Sequence, residues 1–390
     1  MKKNVKVYAH YLPQFHETQE NNIWWGKGFT EWDNVRQAAP LSKKHDQPRI
    51  PLNNNYYDLS DKETLKWQAK IAHEYGVDGF NIYHYWSSGV QLLSKPVQMI
   101  LDDPSIDIDF NLTWANHPWV RSWKNSAGHD SMLLDQTYED DKQDREKHYK
   151  YLLSAMSDKR YSRIDGKPLF SIYRTYDIPN TSEYIGELRD YIYKNIGEEI
   201  HINSYIQYPP KDKSFINLVD TVSLFQPGTA MFNKDHLESS SININNILMK
   251  LKEIFINAPV PLKKLVYKIL DKTSKPTKIL DYDEIWEIIL SQSSEETYLG
   301  KPIIKGAFND WDNTPRYGKE ATIISGSSPE KFKFYMEKLI NITEESSYSK
   351  IIFINGWNEW GESAYLEPDT LNGFGYLESL RDSLNHQKNS

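Results

Sequence analysis

Short apolar or β-rich runs recur along the 390-residue chain, with amphipathic helical patterns between them. Strands that alternate with helices imply βαβ units and therefore a parallel sheet. Eight units match a closed barrel better than an open doubly wound sheet. The sequence therefore predicts an α/β protein with a (β/α)₈ TIM barrel whose strands cover residues 5–11, 77–85, 108–114, 168–173, 201–206, 221–225, 302–308 and 350–355.

The clearest helical pattern covers residues 61–75. Leu65, Ala69, Ile71 and Ala72 fall on one broad face, Ser60 or Asp61 can cap the first turn, and Gly76 can end the helix. The same periodicity predicts helices over 143–156 and 182–196.

One region is longer than a connection between a strand and a helix requires. We expect a single catalytic domain over 1–390 with a helical insertion at 230–300, between the sixth and seventh strands, including helices around 247–255 and 261–270. Residues 250–278 contain eight Lys against Glu253 and Asp271. This stretch is either a solvated decoration or a peripheral docking surface for an anionic lipid headgroup or a protein partner.

Charge and composition exclude several classes of function. The net charge is −8 and the pI is about 5.8, so no basic field attracts nucleic acid. There is no Cys, and His73-Glu74 lacks the second His of a zincin motif, so we expect no metal and no cofactor. The N-terminal residues break their apolar run at His10 and Pro13, and no window reaches ~18 apolar residues. We therefore expect a cytoplasmic protein without a membrane span.

Aromatic and polar residues concentrate at the ends of the predicted strands, where a barrel carries its active site. Aromatic rings pack on the C–H faces of sugars, while amides and carboxylates bind sugar hydroxyls. Each residue alone is more simply a satisfied structural residue, but all eight strand ends agree. The predicted substrate-binding residues are Tyr8, His10, Tyr11, Trp25, Glu31, Trp32, Tyr83, His84, Trp114, Asn116, Tyr173, Tyr208, Gln226, Asn309, Asp310, Trp311, Trp357, Asn358 and Trp360.

The last strand leads into NGWNEWGESAYLE, where Glu359 and Glu362 stand three residues apart. Glycosidic cleavage requires one carboxyl group to protonate the leaving oxygen and a second to act as base or nucleophile. A bare pair at this spacing is usually a solvated acidic loop. The flanking Trp357 and Trp360 favour catalysis, because carboxyl groups against indoles have raised pKa values and can remain protonated.

These segments resemble the WbsX-type, family 99-like group of glycoside hydrolases and glycosyltransferases. The similarity rests on YLPQFH, WWGKGFTEWDNV, QPRIPLN, YYDLSD, YGVDGFNIYHYW, WDNTPR and WNEWGESAYLEPD. The resemblance implies a (β/α)₈ barrel and a retaining mechanism related to that of endo-α-mannosidases. In it, Glu359 would be the base that deprotonates the sugar's own 2-hydroxyl, Glu362 the general acid and then base, and the intermediate a 1,2-anhydro sugar.

The chain departs from the family pattern at two places. His117-Pro118 stands where relatives tend to have Glu-Asn, which bears on substrate identity more than on chemistry, and Ser363 stands where they often have Gly. This branch commonly accompanies the assembly of bacterial cell-surface polysaccharides such as O-antigen or capsule. The resemblance therefore implies an oligosaccharide or polysaccharide substrate, free or lipid-linked.

Three functions remain open from the sequence. The first is an enzyme that cleaves or transfers from an α-linked glycan. The second is a nucleotide-sugar-dependent glycosyltransferase, whose metal-binding Asp-x-Asp could be Asp107–Asp109 or Asp281–Asp283, although the first precedes its strand and the second resembles a helix start. The third is a non-catalytic glycan-binding barrel, which the aromatic strand ends would suit equally well.

Overall fold

The computed structural model describes residues 5–87, 89–120, 132–134, 136, 138, 142–240 and 276–386. Eight parallel strands form a closed barrel in which each strand pairs with its neighbour in chain order and β1 pairs with both β2 and β8. Tyr8 of β1 is in register with Gly79 on one side and Phe353 on the other. The strands are β1 (Lys6–Tyr11), β2 (Gly79–Ser87), β3 (Asp109–Trp114), β4 (Lys167–Ile172), β5 (His201–Ile206), β6 (Thr221–Leu224), β7 (Lys301–Phe308) and β8 (Ile351–Asn355).

The predicted TIM barrel is thus confirmed, and each predicted strand lies within two residues of an observed one. The helices are α1 (Gln19–Trp25), α2 (Glu31–Gln37), α3 (Lys62–Glu74), α4 (Lys95–Asp102), α5 (Lys142–Met156), α6 (Thr181–Ile196), α7 (Gly228–Ser240), α8 (Tyr282–Ser293), α9 (Thr314–Tyr317), α10 (Pro329–Glu345) and α11 (Gly375–His386). Shorter strands outside the barrel cover Val90–Leu92, Trp119–Val120, Met132–Leu134, Arg163–Ile164, Lys278–Asp281, Thr297–Tyr298, Thr322–Ser325, Asn358–Glu359 and Ala364–Tyr365.

Helix α3 shows how the sequence pattern builds the outer layer. The Asp61 side chain accepts a hydrogen bond from the Glu63 backbone N–H at 3.0 Å and caps the first turn. Leu65, Ile71 and Ala72 are buried, as their helical spacing predicts. Burying each of the two larger side chains contributes roughly 1.5–3 kcal/mol, so the apolar face fixes the helix on the barrel.

The barrel strands are buried on both faces, and their side chains alternate between two environments. Phe80 and Leu112 belong to the large apolar cluster that joins strands to helices. Tyr8, Tyr205 and Phe353 belong to a separate cluster in the barrel interior. Period-two alternation therefore decides whether a strand residue faces the helices or the barrel axis.

The predicted insertion at 230–300 is described only in part. Its C-terminal portion forms α8, which packs on the barrel because Trp286 stacks against Phe308 of β7 (ring centroids 5.5 Å apart) and Tyr335 of α10 (5.3 Å). The strand Lys278–Asp281 pairs in parallel with Thr322–Ser325. Residues 241–275, with the helices predicted around 247–255 and 261–270 and most of the basic stretch 250–278, lie outside the described residues. Within the described ranges, no helix is long and apolar enough to cross a membrane.

Candidate active site

A cavity of about 760 Å³ opens at the C-terminal ends of the barrel strands. Residues that end or follow each of the eight strands contribute to its wall. The volume is within the range of ~300–1,000 Å³ typical of small-molecule sites. One wall residue from each strand end, in chain order, is Glu31, Tyr83, His117, Tyr173, Tyr208, Phe225, Arg316 and Glu359.

The loop after β8 delivers the two predicted catalytic carboxylates. Asn358–Glu359 pairs in an antiparallel direction with Ala364–Tyr365, and a 3₁₀ turn over Trp360–Glu362 closes this small hairpin. The Asn358 side chain accepts from the Leu12 backbone N–H (2.7 Å) and donates to the Leu12 carbonyl (3.0 Å). This loop is therefore fixed to the end of β1, and Glu359 and Glu362 both reach the cavity.

Arg316, which lies in α9 after β7, binds three carboxylates at once. Its guanidinium donates to Glu359 at 2.6 Å, to Glu362 at 2.7 Å and to Glu31 at 3.2 Å. The Glu31 and Glu359 side chains are 1% and 9% exposed, and that of Glu362 is 19% exposed. One cation thus holds two buried acids and one partly exposed acid, and we call Glu31, Arg316, Glu359 and Glu362 the carboxylate cluster.

The electrostatics of the carboxylate cluster favour a bound proton. Burial raises the pKa of Glu359 to about 8, with Glu362 and Glu31 adding to the rise and Arg316 opposing it. Burial likewise raises the pKa of Glu362 against the influence of Arg316. A single guanidinium cannot neutralise three ionised carboxylates, so protonation of one of them is favourable near neutral pH. The site can therefore hold an acid and a base side by side.

Two groups of hydrogen-bonded residues hold the loop after β8, and the first is centred on Glu367. Glu367 accepts from Tyr57 Oη (2.7 Å), Gln68 Nε2 (2.6 Å) and Trp360 Nε1 (2.7 Å), which ties the 3₁₀ turn to α3. Burial raises the pKa of Glu367 to about 7. Through Trp360, the hydrogen bonds of Glu367 hold the turn that connects Glu359 to Glu362.

On the other side, Asp312 holds the end of the turn. Its backbone N–H donates to the Glu362 carbonyl (2.8 Å), and its carboxylate binds His45 Nε2 (2.8 Å) and Gln47 Nε2 (2.7 Å). Gln47 also donates to Ser363 Oγ at 3.1 Å. Ser363 lies in the left-handed region at φ 54°, a conformation that Gly adopts more readily, and its hydroxyl accepts the hydrogen bond from Gln47.

The structure brings part of the predicted set together. The predicted residues in the cavity wall are Trp25, Glu31, Tyr83, Tyr173, Tyr208, Trp311, Glu359 and Glu362. They come from loops that are far apart in the chain, and closure of the barrel brings them to the wall of one cavity.

Three other predicted residues lie between the strands and the outer helices. Tyr11 Oη donates to Gln68 of α3 at 2.8 Å, and His84 Nε2 lies 2.8 Å from His148 Nε2 of α5. Trp114 packs against Tyr184 of α6. Each belongs to the outward-facing set of its strand, so it supports the barrel from outside.

The remaining predicted residues lie beneath or behind the cavity wall. Tyr8 and His10 fill the barrel interior, where His10 Nε2 contacts Tyr205 Oη at 2.9 Å and burial lowers the His10 pKa to about 3. Trp32 packs against Trp360 behind the loop. The others hold strand ends and loops through buried contacts and are Asn116, Gln226, Asn309, Asp310, Trp357 and Asn358.

Several wall residues were outside the predicted site. Tyr85 follows Tyr83 by two positions on β2, so strand alternation could have identified it. Arg316 stands in the WDNTPR motif, but its partner Glu31 is 285 residues away in sequence, and no spacing shows that contact. Phe232 lies on α7, at the start of the predicted insertion, and carries no motif.

The Asp-x-Asp candidates for a metal lie away from the cavity. Asp109 begins β3, at the opposite end of the barrel. Asp281 caps α8 by accepting from the Glu284 backbone N–H, and Asp283 binds Lys331 at 2.6 Å. Among the described residues, no group of three or more His, Asp and Glu side chains could hold a metal ion.

Comparison with solved structures shows the same fold in glycan-active proteins. The GH99 endo-alpha-mannosidase of Bacteroides thetaiotaomicron superposes with a TM-score of 0.54 at 12% identity, covering 98% of this chain and 97% of that one. A solved glycoside hydrolase-like protein gives a TM-score of 0.55 at 12% identity, covering 98% and 94%. At this identity the likeness shows the barrel architecture.

Sequence comparison adds curated relatives and a family. The protein called "Uncharacterized protein WxcX" in two strains of Xanthomonas campestris pv. campestris is 30% identical over 384 residues, which is 97% of this chain. The chain spans 49% of the length of those relatives. The family described as Glycosyltransferase WbsX matches residues 7–380. The match covers the barrel from β1 to α11, and the chain belongs to the WbsX glycosyltransferase family.

Proposed function

We propose that this protein is a carbohydrate-active enzyme that cleaves, or transfers from, an α-linked glycan with retention of configuration. The observation that carries the proposal is the carboxylate cluster, which puts Glu359 and Glu362 on one guanidinium in a cavity with aromatic walls. The family description and the barrel shared with an endo-alpha-mannosidase support the same class of chemistry. The family association also supports a role in bacterial cell-surface polysaccharide metabolism.

The proposed reaction has two steps. In the first, Glu359 takes the proton of the 2-hydroxyl, the 2-oxygen attacks C1, and the glycosidic bond breaks as Glu362 protonates the leaving oxygen. In the second, Glu362 takes a proton from water or from an acceptor hydroxyl, whose oxygen attacks C1. The C1–O2 bond of the 1,2-anhydro sugar then opens, and Glu359 returns its proton to O2. Two inversions at C1 give net retention.

The two steps require one protonated and one ionised carboxyl group, and the carboxylate cluster can supply both. Three carboxylates around Arg316 favour one bound proton, so an acid and a base coexist at neutral pH. In the substrate-free site burial raises the pKa of both Glu359 and Glu362 against the influence of Arg316, so the proton belongs to the pair. The proposed roles require that binding of the 2-hydroxyl to Glu359 leaves this proton on Glu362.

Glu31 completes the cluster as a substrate-binding candidate. Its Oε1 atom binds Arg316, while its buried Oε2 atom has no hydrogen-bond partner in the described part of the chain. Buried carboxylate oxygens are seldom left unpaired. A sugar hydroxyl in the cavity can satisfy Oε2, which gives Glu31 a role in orienting the reacting ring.

The charge of the cavity favours a glycan over a nucleotide sugar. Its described wall contains Glu31, Asp235, Glu359 and Glu362 but only Arg316 and Lys278 as permanent cations. Both cations bind these same carboxylates. A diphosphate would meet a net negative wall, which disfavours binding.

The test uses Glu359→Gln and Glu362→Gln on an aryl α-glycoside series with good and poor leaving groups. An acid is dispensable when the leaving group needs no proton. We expect Glu362→Gln to lose at least about 100-fold in kcat/KM on poor leaving groups and far less on dinitrophenyl glycosides. Glu359→Gln should lose activity on both.

The control is Glu74→Gln, an exposed carboxylate on α3, which should turn over all substrates like the wild type. Reversed leaving-group behaviour would exchange the roles of the two Glu residues. Full activity in both Gln variants would contradict the proposed mechanism, provided that circular dichroism shows both to be folded.

A further inference from the structure

The cavity has a second wall that the carboxylate chemistry does not use. Tyr208 follows β5, and Phe232 and His236 lie one turn apart on α7 after β6. We call Tyr208, Phe232 and His236 the aromatic shelf. Its location on the β5 and β6 side separates it along the barrel rim from the carboxylate cluster, whose members follow β7, β8 and β1.

The three rings of the shelf pack edge to face and line the cavity. The Tyr208 and Phe232 ring centroids are 5.2 Å apart at 71°, and those of Phe232 and His236 are 4.2 Å apart at 64°. Tyr208 is 43% exposed although its ring packs against Phe232 of α7. Edge-to-face packing fixes the rings, so their free surface is presented without a large loss of side-chain entropy on binding.

A charged pair borders the shelf. Lys278 Nζ binds the Asp235 carboxylate, and both side chains are a little over one third exposed and line the cavity. Asp235 lies one turn from Met231 on α7, and Lys278 begins the strand Lys278–Asp281. A carboxylate and an ammonium group beside aromatic rings provide an acceptor and a donor for vicinal hydroxyls.

The aromatic shelf and the carboxylate cluster lie in the wall of the same cavity. None of the hydrogen bonds or ion pairs among the described residues joins Tyr208, Phe232 or Asp235 to Glu359 or Glu362. Tyr173 also lines the cavity, and it interacts electrostatically with both Glu362 of the cluster and Tyr208 of the shelf. The volume of about 760 Å³ lies in the upper part of the ~300–1,000 Å³ range of small-molecule sites, which suits a ligand of more than one sugar unit that contacts both walls.

We propose that the aromatic shelf, with Asp235 and Lys278, is a binding subsite for a neutral sugar unit other than the one whose bond breaks. This inference rests on the proposed function and extends it to substrate length. The enzyme then prefers an oligosaccharide to a glycoside with a single sugar. The paired charges of Asp235 and Lys278 and the acidic cluster select against sugars that carry a carboxylate or phosphate group.

The decisive variants are Tyr208→Ala and Phe232→Ala, with Tyr193→Ala as the matched control. Tyr193 is 59% exposed on α6 and lies outside the cavity wall. The probes are the neutral α-linked disaccharides of mannose, glucose and galactose in each linkage, together with the corresponding methyl monoglycosides. Binding is measured by isothermal titration and saturation-transfer NMR, which read contact with the sugar whether or not turnover occurs.

We expect at least one disaccharide to bind the wild type about tenfold more tightly than its methyl monoglycoside, since a second ring contacts the shelf. Each shelf variant should lose about tenfold in disaccharide affinity, and its kcat/KM should fall more for the disaccharide than for an aryl monoglycoside. Tyr193→Ala should behave like the wild type in both measurements.

Unchanged disaccharide affinity in both folded shelf variants would overturn the subsite, and so would equal affinity of the wild type for disaccharides and monoglycosides. Absence of all turnover by the wild type would instead count against the proposed function. Because binding is measured separately, the two failures are distinguishable. Loss of disaccharide binding in the shelf variants without any turnover would support a glycan-binding subsite on a non-catalytic barrel.

Discussion

At the scale of single residues, Arg316 determines what the acids after β8 can do. It contacts Glu31, Glu359 and Glu362 at once, and its own pKa is held well above the usual range by those charges despite its burial. A buried charge that loses its only counter-ion is strongly destabilising. The carboxylate cluster is therefore the proposed catalytic arrangement, and the stability of the fold also depends on its single Arg.

Replacing Arg316 with Leu should expose that dependence. Without the guanidinium the three carboxylates repel one another, and the pKa values of Glu359 and Glu362 rise further. A carboxylate whose folded-state pKa exceeds its unfolded value loses stability as the pH rises through that interval. We expect a loss of about 3–5 kcal/mol in the free energy of unfolding at pH 8, and a smaller loss at pH 5, by urea denaturation.

Arg381→Leu is the comparison, because this partly exposed Arg contacts Asp382 at the surface of α11. Surface ion pairs contribute about 0–1 kcal/mol, so its effect should be small at both pH values. Equal destabilisation by Arg316→Leu at pH 5 and pH 8 would show that the carboxylates do not depend on Arg316 for their charge state.

The residue scale also shows which site predictions the sequence supports. Strand ends could be located because apolar runs mark them, but the direction of each side chain follows the two-residue alternation. Tyr83 and Tyr85 face the cavity, whereas His84 between them contacts His148 of α5. Contacts such as that between Glu31 and Arg316 depend on barrel closure, so no local pattern could predict them.

At the scale of elements, the hairpin and 3₁₀ turn after β8 form a tightly surrounded unit. Gly361 lies between the two catalytic candidates and leaves no space for a side chain. A Cβ atom there would approach Glu31 Oε1 to 2.5 Å and Arg316 Nε to 2.9 Å. The close approach of α2, α9 and this turn thus requires glycine at one position.

Gly361→Ala should therefore damage activity by displacing Glu31 and Arg316. A misplacement of about 1 Å in a catalytic arrangement can lower the rate ~100-fold, and we expect a loss of that order in kcat/KM. Gly186→Ala is the control, since Gly186 lies within α6 and a Cβ atom there meets no other group within 4 Å. It should retain activity and gain up to ~1 kcal/mol in stability. Similar activity in the two variants would contradict the close packing of the turn.

The fold was more predictable at this scale than the site. The eight strands and the helices over Lys62–Glu74, Lys142–Met156 and Thr181–Ile196 follow from periodicity and capping, which are local properties. The loop after β8 could be located from the sequence, yet the hydrogen bond between Ser363 and Gln47 crosses 316 residues and could not be predicted. The insertion at 230–300 stays a prediction for residues 241–275.

At the scale of the whole molecule, buried titratable groups couple the stability of the fold to pH in two directions. Glu359, Glu362 and Glu367 have raised pKa values, so their contribution to stability declines as the pH rises from about 4 towards 8. His10 and His84 have pKa values lowered by burial to about 3, so their contribution declines as the pH falls below about 6.5. The two trends oppose each other between about pH 4 and pH 6.5, so the free energy of unfolding should be highest within that interval.

Glu367→Gln tests the alkaline side, because Glu367 is outside the carboxylate cluster. Because the pKa of Glu367 is about 7 in the folded state, ionisation of this side chain lowers the free energy of unfolding by ~3 kcal/mol between pH 4 and pH 8. We expect the variant to lose less stability than the wild type over this interval, whatever its absolute stability, by denaturant unfolding at several pH values. Glu74→Gln, at an exposed position of α3, should reproduce the wild-type slope. Identical slopes in Glu367→Gln and the wild type would contradict the raised pKa.

The division of the cavity wall has a consequence for how this barrel can diversify. The proposed catalytic acids and Arg316 come from the β7, β8 and β1 ends, while Phe232, Asp235 and Lys278 flank residues 241–275 in the connection from β6 to β7. Exchange of that connection would change the cavity wall on the β6 side and leave the carboxylate cluster in place. If the proposed roles hold, glycan recognition and bond cleavage depend on separate loops, so the preferred glycan can change while the reaction stays the same.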